Sequence, residues 1–565
     1  MNQDWHGTRS RLQADLQQHN GDVQTWSNLA YAHLRCGDTE QALLAAEHAL
    51  ELDPDHAAAW VNLGAGHLQA KRIDQAEHCA QRALELAPED ADAHLFYSHV
   101  ARETGQVTPA QDALLKAVRL DPGHADAWSQ LALTQMELGL PVQALNSIQK
   151  ALEIEPQRLR YHSNRMMIAQ YHPGLDSAAL RDMAERYGRN LNVPAMPAVP
   201  SRTNSRPLKV AYLSPDFRAH PVGYILRGVL EGHDRDRFRP SLWNLNSGSD
   251  WLSDEYRALE LPWHEVAGRS DQELAEAIRR EAIDILVDLA GHTALNRLGV
   301  IARRPAALQL SFLGWFGAIG VPGLDAVLMG EDQLGRGHAH AFAEPVQALA
   351  GSHFRYRPLP YAPAPAASDP HRPLTFGSFN NIAKLQPEVI DAWAELLRAL
   401  PGSELALRWK TLADPQVRWT LQRRFHAVGV APDRLRLAGA CSHEALLAEY
   451  RHIDIALDPF PFSGGMTSLE ALSMGVPVIT LAQLRPVSRQ THSMLRALGL
   501  EMLSTSRVKD YLAVAVELGR DPVLRDRIRE RLIEAYPASA LADPTSLART
   551  LETAYGGLLA RREGR

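Results

Sequence analysis

The sequence predicts an α-helical solenoid followed by two α/β lobes with parallel sheets. Three observations carry this. A 34-residue period runs through the first third of the chain. After residue 207 the pattern changes to short apolar runs that alternate with helical stretches. Two proline-rich stretches divide the chain at the points where the pattern breaks or restarts.

The period is carried by four columns in one register. Pro54, Pro88, Pro122 and Pro156 are each 34 residues apart, as are Trp26, Trp60, His94, Trp128 and His162. Ala42, Ala76, Ala110 and Ala144 keep the same step, and so do Ala49, Ala83, Ala117 and Ala151. Alanine lets two helices approach closely, and proline, without an N–H, ends the second helix of each unit. The Trp/His column recurs at one place in every unit and therefore reads as packing between helices. Four repeats start near Gly21, Asp55, Glu89 and Gly123. A partial one begins near Gln157 and a lone helix precedes Gly21. The pattern resembles the tetratricopeptide repeat (TPR), a helix–turn–helix unit that stacks into a superhelix with a concave face. Such a superhelix over residues 1–191 either presents a protein or peptide partner or serves only to hold the molecule together, for instance as a homodimer.

Residues 192–207 read as a linker rich in proline and small polar residues. Leu208–Ser214, Ile283–Leu289, Leu308–Leu313 and Ala326–Met329 read as buried strands of a first Rossmann-like lobe, residues 208–356, with a helix from Asp271 to Glu281. A second connector covers 357–373. Strands at Leu374–Phe379, Glu404–Trp409, Ile453–Leu457 and Val478–Leu481 then define a second lobe, residues 374–565. In paired sheets of this kind ligands bind at the carboxyl ends of the strands.

Composition narrows the function. The chain has 565 residues, enough for three or four domains, and a net charge of −7, which speaks against nucleic-acid binding as its main role. The apolar and charged fractions, 45% and 22%, are those of a globular protein. Cys36, Cys79 and Cys441 lie far apart, without metal-ligand spacing or a disulfide pattern, so a reducing cytoplasmic compartment is expected. Met1–Asn20 lacks the apolar core of a signal peptide, and no run of 18 apolar residues is present, so no membrane association is expected.

Three stretches carry chemistry. In Leu457-Asp-Pro-Phe-Pro-Phe-Ser-Gly-Gly-Met-Thr-Ser-Leu-Glu470 a strand gives way to a loop with Gly464 and Gly465, which opens a helix near Met466. Free N–H groups at a helix N-terminus suit a phosphate, Thr467 adds a hydroxyl, and Glu470 can accept from a ribose diol or simply complement the helix dipole. In Gly377-Ser-Phe-Asn-Asn-Ile-Ala-Lys-Leu-Gln-Pro387, Lys384 stands just before a second helix start, as a diphosphate clamp or a surface lysine. In Tyr212-Leu-Ser-Pro-Asp-Phe-Arg-Ala-His-Pro-Val-Gly-Tyr224, His220 lies between strand and helix, where it can move a proton or hold structure. His292, after Asp288, stands in a similar place.

Together these elements resemble the O-linked N-acetylglucosamine (O-GlcNAc) transferases, in particular their bacterial homologues. The resemblance rests on the repeats, Asp216–Pro221, Gly291–Thr293, Phe312-Leu-Gly-Trp-Phe-Gly317, Phe379–Lys384 and Ser463–Glu470. It implies a GT-B fold, a UDP-sugar donor as substrate without a further cofactor, and inversion at the anomeric carbon without a metal ion. It implies that Lys384 neutralises the departing diphosphate with Asn381 beside it. Gly464, Gly465, Met466 and Thr467 hold the phosphates, Glu470 holds the ribose, and Cys441 and His443 line the uracil and ribose side. His220 is the implied base or positioning group, His292 a further catalytic candidate, and Gly314 lies near the donor sugar. Animal members carry tyrosine-proline-glycine where Trp315-Phe316-Gly317 stands here, a difference that bears on sugar identity. The expectation is transfer of N-acetylglucosamine from UDP-GlcNAc to Ser or Thr of proteins bound along the repeats. Glucose transfer to asparagine or another protein acceptor, and a non-catalytic repeat scaffold with a degenerate transferase fold, are the alternatives.

Overall fold

A computed structural model describes residues 5–18, 21–197, 199, 207–366, 369 and 371–563. Its contacts divide the chain into two units, Met1–Tyr161 with Lys410–Arg418, and His162–Trp409 with Trp419–Arg565.

In the first unit the helix Trp5–Gln18 precedes four helical pairs. These are Val23–Cys36 with Thr39–Leu52, Ala57–Gln69 with Ile73–Leu86, Ala91–Glu103 with Val107–Leu120, and Ala125–Glu137 with Pro141–Ile154. All eight column alanines have no exposed surface, as close helix packing requires. Each column proline lies two residues beyond the end of a second helix. The Trp/His column does more than pack. Trp60 Nε1 donates to Pro54 O (2.8 Å) and Trp128 Nε1 to Pro122 O (3.0 Å), and His94 Nε2 lies 2.9 Å from Pro88 O. In these three units the ring nitrogen common to tryptophan and histidine thus ties the first helix to the turn before it. Within this unit the buried Asp414 accepts from Thr108 N (2.8 Å).

The second unit holds two parallel sheets. The first comprises β1 (Leu208–Ser214), β2 (Phe238–Asn244), β3 (Trp263–Glu265), β4 (Ile285–Asp288), β5 (Leu308–Phe312), β6 (Ala326–Gly330) and β7 (Val346–Leu349). Their order is β3-β2-β1-β4-β5-β6-β7. The second comprises β8 (Thr375–Ser378), β9 (Glu404–Arg408), β10 (Leu435–Ala438), β11 (Ile455–Leu457), β12 (Val478–Leu481) and β13 (Ser504–Thr505), in the order β10-β9-β8-β11-β12-β13. Every strand expected from an apolar run is present. The five not anticipated, β2, β3, β7, β10 and β13, are very short or carry Arg, Gln or Pro, and so lack a continuous apolar run. Strand order reverses between β1 and β4 and between β8 and β11, and loops that leave in opposite directions there open a crevice.

The helices Leu159–Tyr171 and Ser177–Asn190, expected to be a partial fifth repeat, pack with the lobes. The boundary therefore falls at residue 161 rather than 191. Ser163 Oγ lies 3.1 Å from His292 Nδ1. At Gly188 a Cβ would come within 2.0 Å of Gly320 O, so only glycine lets this helix touch the loop after β5. Of the expected 192–207 linker, residues 198 and 200–206 lie outside the described residues. Its described start is held on the first lobe by Met196 N to Arg303 O (2.7 Å). Residues 367, 368 and 370 of the 357–373 connector likewise lie outside the described residues, and the rest of it is irregular.

The chain's last helix, Pro544–Glu563, returns to the first lobe. Glu552 Oε1 accepts from Asp234 N (2.7 Å) and pairs with His233 Nδ1 (3.0 Å). Gly228 and Gly232 give it room against Pro544 and Thr545. Among the described residues no helix is long and apolar enough to cross a membrane.

Candidate active site

The loops after β8 and β11 flank the switch point of the second sheet and bring Lys384 and Gly464–Glu470 together. Lys384 ends a 3₁₀ turn, Ile382–Lys384, and is buried. Its Nζ donates to Asn380 Oδ1 (2.9 Å) and Ser463 O (2.8 Å) and lies 4.6 Å from the centre of the Phe462 ring. Both hydrogen-bond acceptors are neutral, and no ion pair to its ammonium is formed among the described residues. Burial pulls its pKa down to about 8, against which Asp458 acts.

Asp458 organises the glycine loop from beneath. It accepts from Gly464 N and from Thr480 Oγ1 (2.6 Å). A Cβ on Gly464 would stand 2.2 Å from Ser468 Oγ, so the loop closes this tightly only with glycine. Of the four residues expected to hold phosphate, Gly464 therefore has its N–H engaged. The N–H groups of Gly465, Met466 and Thr467 carry no hydrogen bond among the described residues and stand at the N-terminus of the helix Met466–Ser473. Thr467 Oγ1 donates to Asn380 Oδ1 (3.1 Å), so Asn380 bridges Thr467 and Lys384. Asn381, expected beside Lys384, instead caps the 3₁₀ turn by accepting from Ala383 N (3.0 Å). Two adjacent asparagines could not be told apart in sequence, because the turn decides which one faces the lysine. Asp458 was missed altogether, and the Asp-Pro that ends β11 was its one signal.

Glu470 lies one turn into the same helix and is buried. Its Oε1 meets His443 Nε2 at 2.9 Å, whereas its buried Oε2 has no hydrogen-bond partner among the described residues. Burial raises the Glu470 pKa and His443 lowers it. His443 opens the helix His443–Glu449. Its Nδ1 is 2.7 Å from Tyr361 OH, and its ring stacks on Tyr224 of the first lobe (5.2 Å, 21°). Cys441 is exposed in the loop before this helix, outside that hydrogen-bonded set.

In the first lobe His220 caps the helix Pro221–Gly232, its Nδ1 accepting from Val222 N (3.3 Å) with Asp216 Oδ2 3.5 Å away. Burial lowers its pKa, so it is neutral at physiological pH. At Gly223 a Cβ would approach Arg218 O to 2.1 Å, so glycine allows the helix to close on the loop that carries His220. Tyr224, one turn beyond His220, makes the contact with His443. From the loop after β5, Phe316 meets Phe462 at 5.0 Å, and Phe462 carries Lys384 on its face. Both lobes thus converge on one cleft.

Two expected residues lie outside this cleft's polar set. His292 is buried, with Nδ1 on Ser163 Oγ and Nε2 on Ile319 O (2.8 Å), and its ring is held edge-on between Tyr187 and Trp315. Burial drops its pKa to about 4. Both nitrogens are in use, so it pins the helices 159–190 to the lobe and has no free nitrogen for catalysis. Gly314 is a glycine because its Cβ would come within 1.8 Å of Leu289 O, which is a packing need. Among the described residues no three His, Cys, Asp or Glu gather as metal ligands.

A buried lysine beside an open helix N-terminus thus stands where the two Rossmann-like lobes of a GT-B fold meet. Residues 162–354 and 367–551 match glycosyl transferase family 41, and the chain belongs to that family. Residues 98–158 match the tetratricopeptide repeat, and residues 3–100 match the cilia and flagella-associated protein 70 middle TPR-like domain. A solved mutant of the O-GlcNAc transferase of Thermobaculum terrenum is similar over 90% of this chain and 98% of that one, at 33% identity and a TM-score of 0.84. The probable UDP-N-acetylglucosamine–peptide N-acetylglucosaminyltransferase SPINDLY of Solanum lycopersicum is 31% identical over 371 residues, 64% of this chain and 40% of that protein. Its namesake in Arabidopsis thaliana is 31% identical over 410 residues, 69% and 44%. The chain thus spans about two fifths of the length of these curated relatives.

Proposed function

We propose that the chain transfers N-acetylglucosamine from UDP-GlcNAc to Ser or Thr hydroxyls of proteins, with inversion and without a metal ion. The observation that carries this is the pairing of Lys384 with the open helix start at Gly465–Thr467. Together they offer positive potential where a diphosphate leaves, the task a divalent cation performs elsewhere. The acceptor oxygen attacks the anomeric carbon as the bond to the diphosphate breaks, Lys384 neutralises the negative charge that develops on the departing diphosphate, and the hydroxyl proton passes to water. Because His220 Nδ1 accepts a backbone N–H, the neutral ring keeps its proton on Nε2. That favours orienting the acceptor or donor over deprotonating it. The family resemblance supports protein acceptors held along the repeats.

The test is incubation of the full chain with candidate acceptor proteins and a panel of UDP- and GDP-linked sugars, read by intact mass, with and without EDTA. Gain of N-acetylhexosamine from UDP-GlcNAc, unaffected by EDTA, is expected. Transfer of another sugar alone overturns the donor. Loss of activity in EDTA that magnesium restores overturns the metal-free mechanism. Failure to bind any nucleotide leaves the scaffold alternative.

A further inference from the structure

The polar chain around Glu470 has a feature the proposed reaction does not use. Its members come from the second lobe (His443, Glu470), the connector (Tyr361) and the first lobe (Tyr224). A carboxylate only accepts, so His443 Nε2 carries the proton that faces Glu470 Oε1, and the Tyr361 hydroxyl then donates to Nδ1. Burial pushes the Tyr361 phenol up to about 12, which keeps it a donor. Trp251 packs edge-on against Tyr361 at 5.9 Å. The His443 ring is thus fixed at both nitrogens and on one face. What remains is Glu470 Oε2, buried and without a hydrogen-bond partner among the described residues, which costs free energy unless a ligand donor satisfies it.

We propose that Tyr361 and His443 are positioning residues. They hold Glu470 so that Oε2 accepts a ribose hydroxyl, and the inter-lobe connector thereby sets the preference for ribonucleotide over deoxyribonucleotide donors. This rests on the reading of the cleft as a nucleotide-sugar site with Glu470 on the ribose. A hydrogen bond to a charged group is worth ~10- to 100-fold in affinity, but only while the acceptor is held in line. An imidazole free to rotate would let the carboxylate turn Oε1 into the site or swing away from it.

Titration calorimetry on the full chain tests this with UDP, 2′-deoxy-UDP and 3′-deoxy-UDP. The wild type should prefer UDP over at least one deoxy analogue by ~10-fold or more. Tyr361→Phe should reduce that ratio severalfold. His443→Leu, which offers Oε1 no donor, should bring it near one, and His443→Lys, which again offers a donor, should recover part of it. In transfer assays donor KM should rise in Tyr361→Phe and His443→Leu while kcat stays within a few-fold, a split that general loss of structure would not produce. Melting by circular dichroism checks folding, and if His443→Leu does not fold, Tyr361→Phe and His443→Lys carry the test. An unchanged ratio in the folded Tyr361 and His443 variants, with loss of the ratio in Glu470→Ala, overturns the positioning role and leaves the ribose reading standing. A ratio that survives Glu470→Ala overturns both.

Discussion

Lys384 is held by two neutral acceptors and an aromatic face, so its charge is available to a ligand. Lys384→Ala should lower turnover about 100-fold or more with donor affinity changed far less, because the interaction grows as charge develops on the leaving group. Single-turnover rates beside equilibrium binding separate the two. Its pKa of about 8 adds a second expectation. A bound diphosphate favours the ammonium and raises that pKa, so above pH 8 UDP binding should take up protons. Calorimetry in buffers of different ionisation enthalpy should show the uptake in the wild type and lose it in Lys384→Gln. His220 invites a sharper substitution. Asparagine can accept from Val222 N through its carbonyl and donate through its amide, but it cannot serve as a base. If His220 orients, His220→Asn should keep activity within about tenfold of wild type while His220→Ala loses considerably more. If it deprotonates, both should fall together by ~100- to 10,000-fold.

At the scale of elements, the repeats are built from contacts too close for larger side chains. Ala117→Leu should destabilise the chain by about 1–3 kcal/mol, since three extra carbons enter a site with no exposed surface. Trp128→Phe keeps most of the ring volume but removes the bond from Nε1 to Pro122 O, and should cost about 1 kcal/mol. Thermal melts of the full chain compare the two, and a phenylalanine as costly as the leucine would show that ring volume rather than the hydrogen bond dominates the column. The same logic governs the loop at Gly464. There the glycine does not serve a positive φ; it admits Ser468 and Asp458 at distances no Cβ tolerates.

At the scale of the whole molecule, the last helix and the repeats make separate contributions. Glu552 joins the last helix to His233 and Asp234 of the first lobe and also accepts from Arg549 Nη1 (2.9 Å). Burial acts to raise its pKa, but the bonds from His233, Asp234 and Arg549 outweigh it and bring the value to about 2 from 4.5. Its stabilisation is therefore complete above pH 4.5 and lost as pH falls toward 2. Glu552→Gln should cost roughly 3 kcal/mol at neutral pH, and the gap from wild type should narrow across that window in a melting series. On the proposed function the repeats concern acceptors, because the cleft proposed for the donor is assembled from residues after 207 within its own unit. Removal of residues 1–86 keeps Thr108 on the buried Asp414. That shortened chain should still bind UDP and hydrolyse the donor slowly, yet lose most transfer to large protein acceptors. Equal rates on full-length acceptors would make the repeats structural only.

What the sequence determined by itself is what local chemistry encodes. The 34-residue columns, the parallel strands with unbroken apolar runs and the helix starts at Pro387 and Met466 were legible because each reflects burial or capping within a short stretch of chain. The family resemblance was legible from the repeats and from motifs of three to eight residues. The tertiary structure decided which of neighbouring candidates does what. Asn380 rather than Asn381 faces Lys384. Gly464 gives its N–H to Asp458. His292 is spent on Ser163 and Ile319, and the last helical pair belongs to the lobes rather than the repeats. Asn380 and Asp458 lie only four and six residues from Lys384 and Gly464, but the turns between them take shape on partners far along the chain — Ser463 lies 79 residues from Lys384, and Ser163 lies 129 from His292. Sequence spacing carries no information about such pairings, because the direction of a side chain at a loop is set only when the strands beneath it have paired and the helices have closed over them.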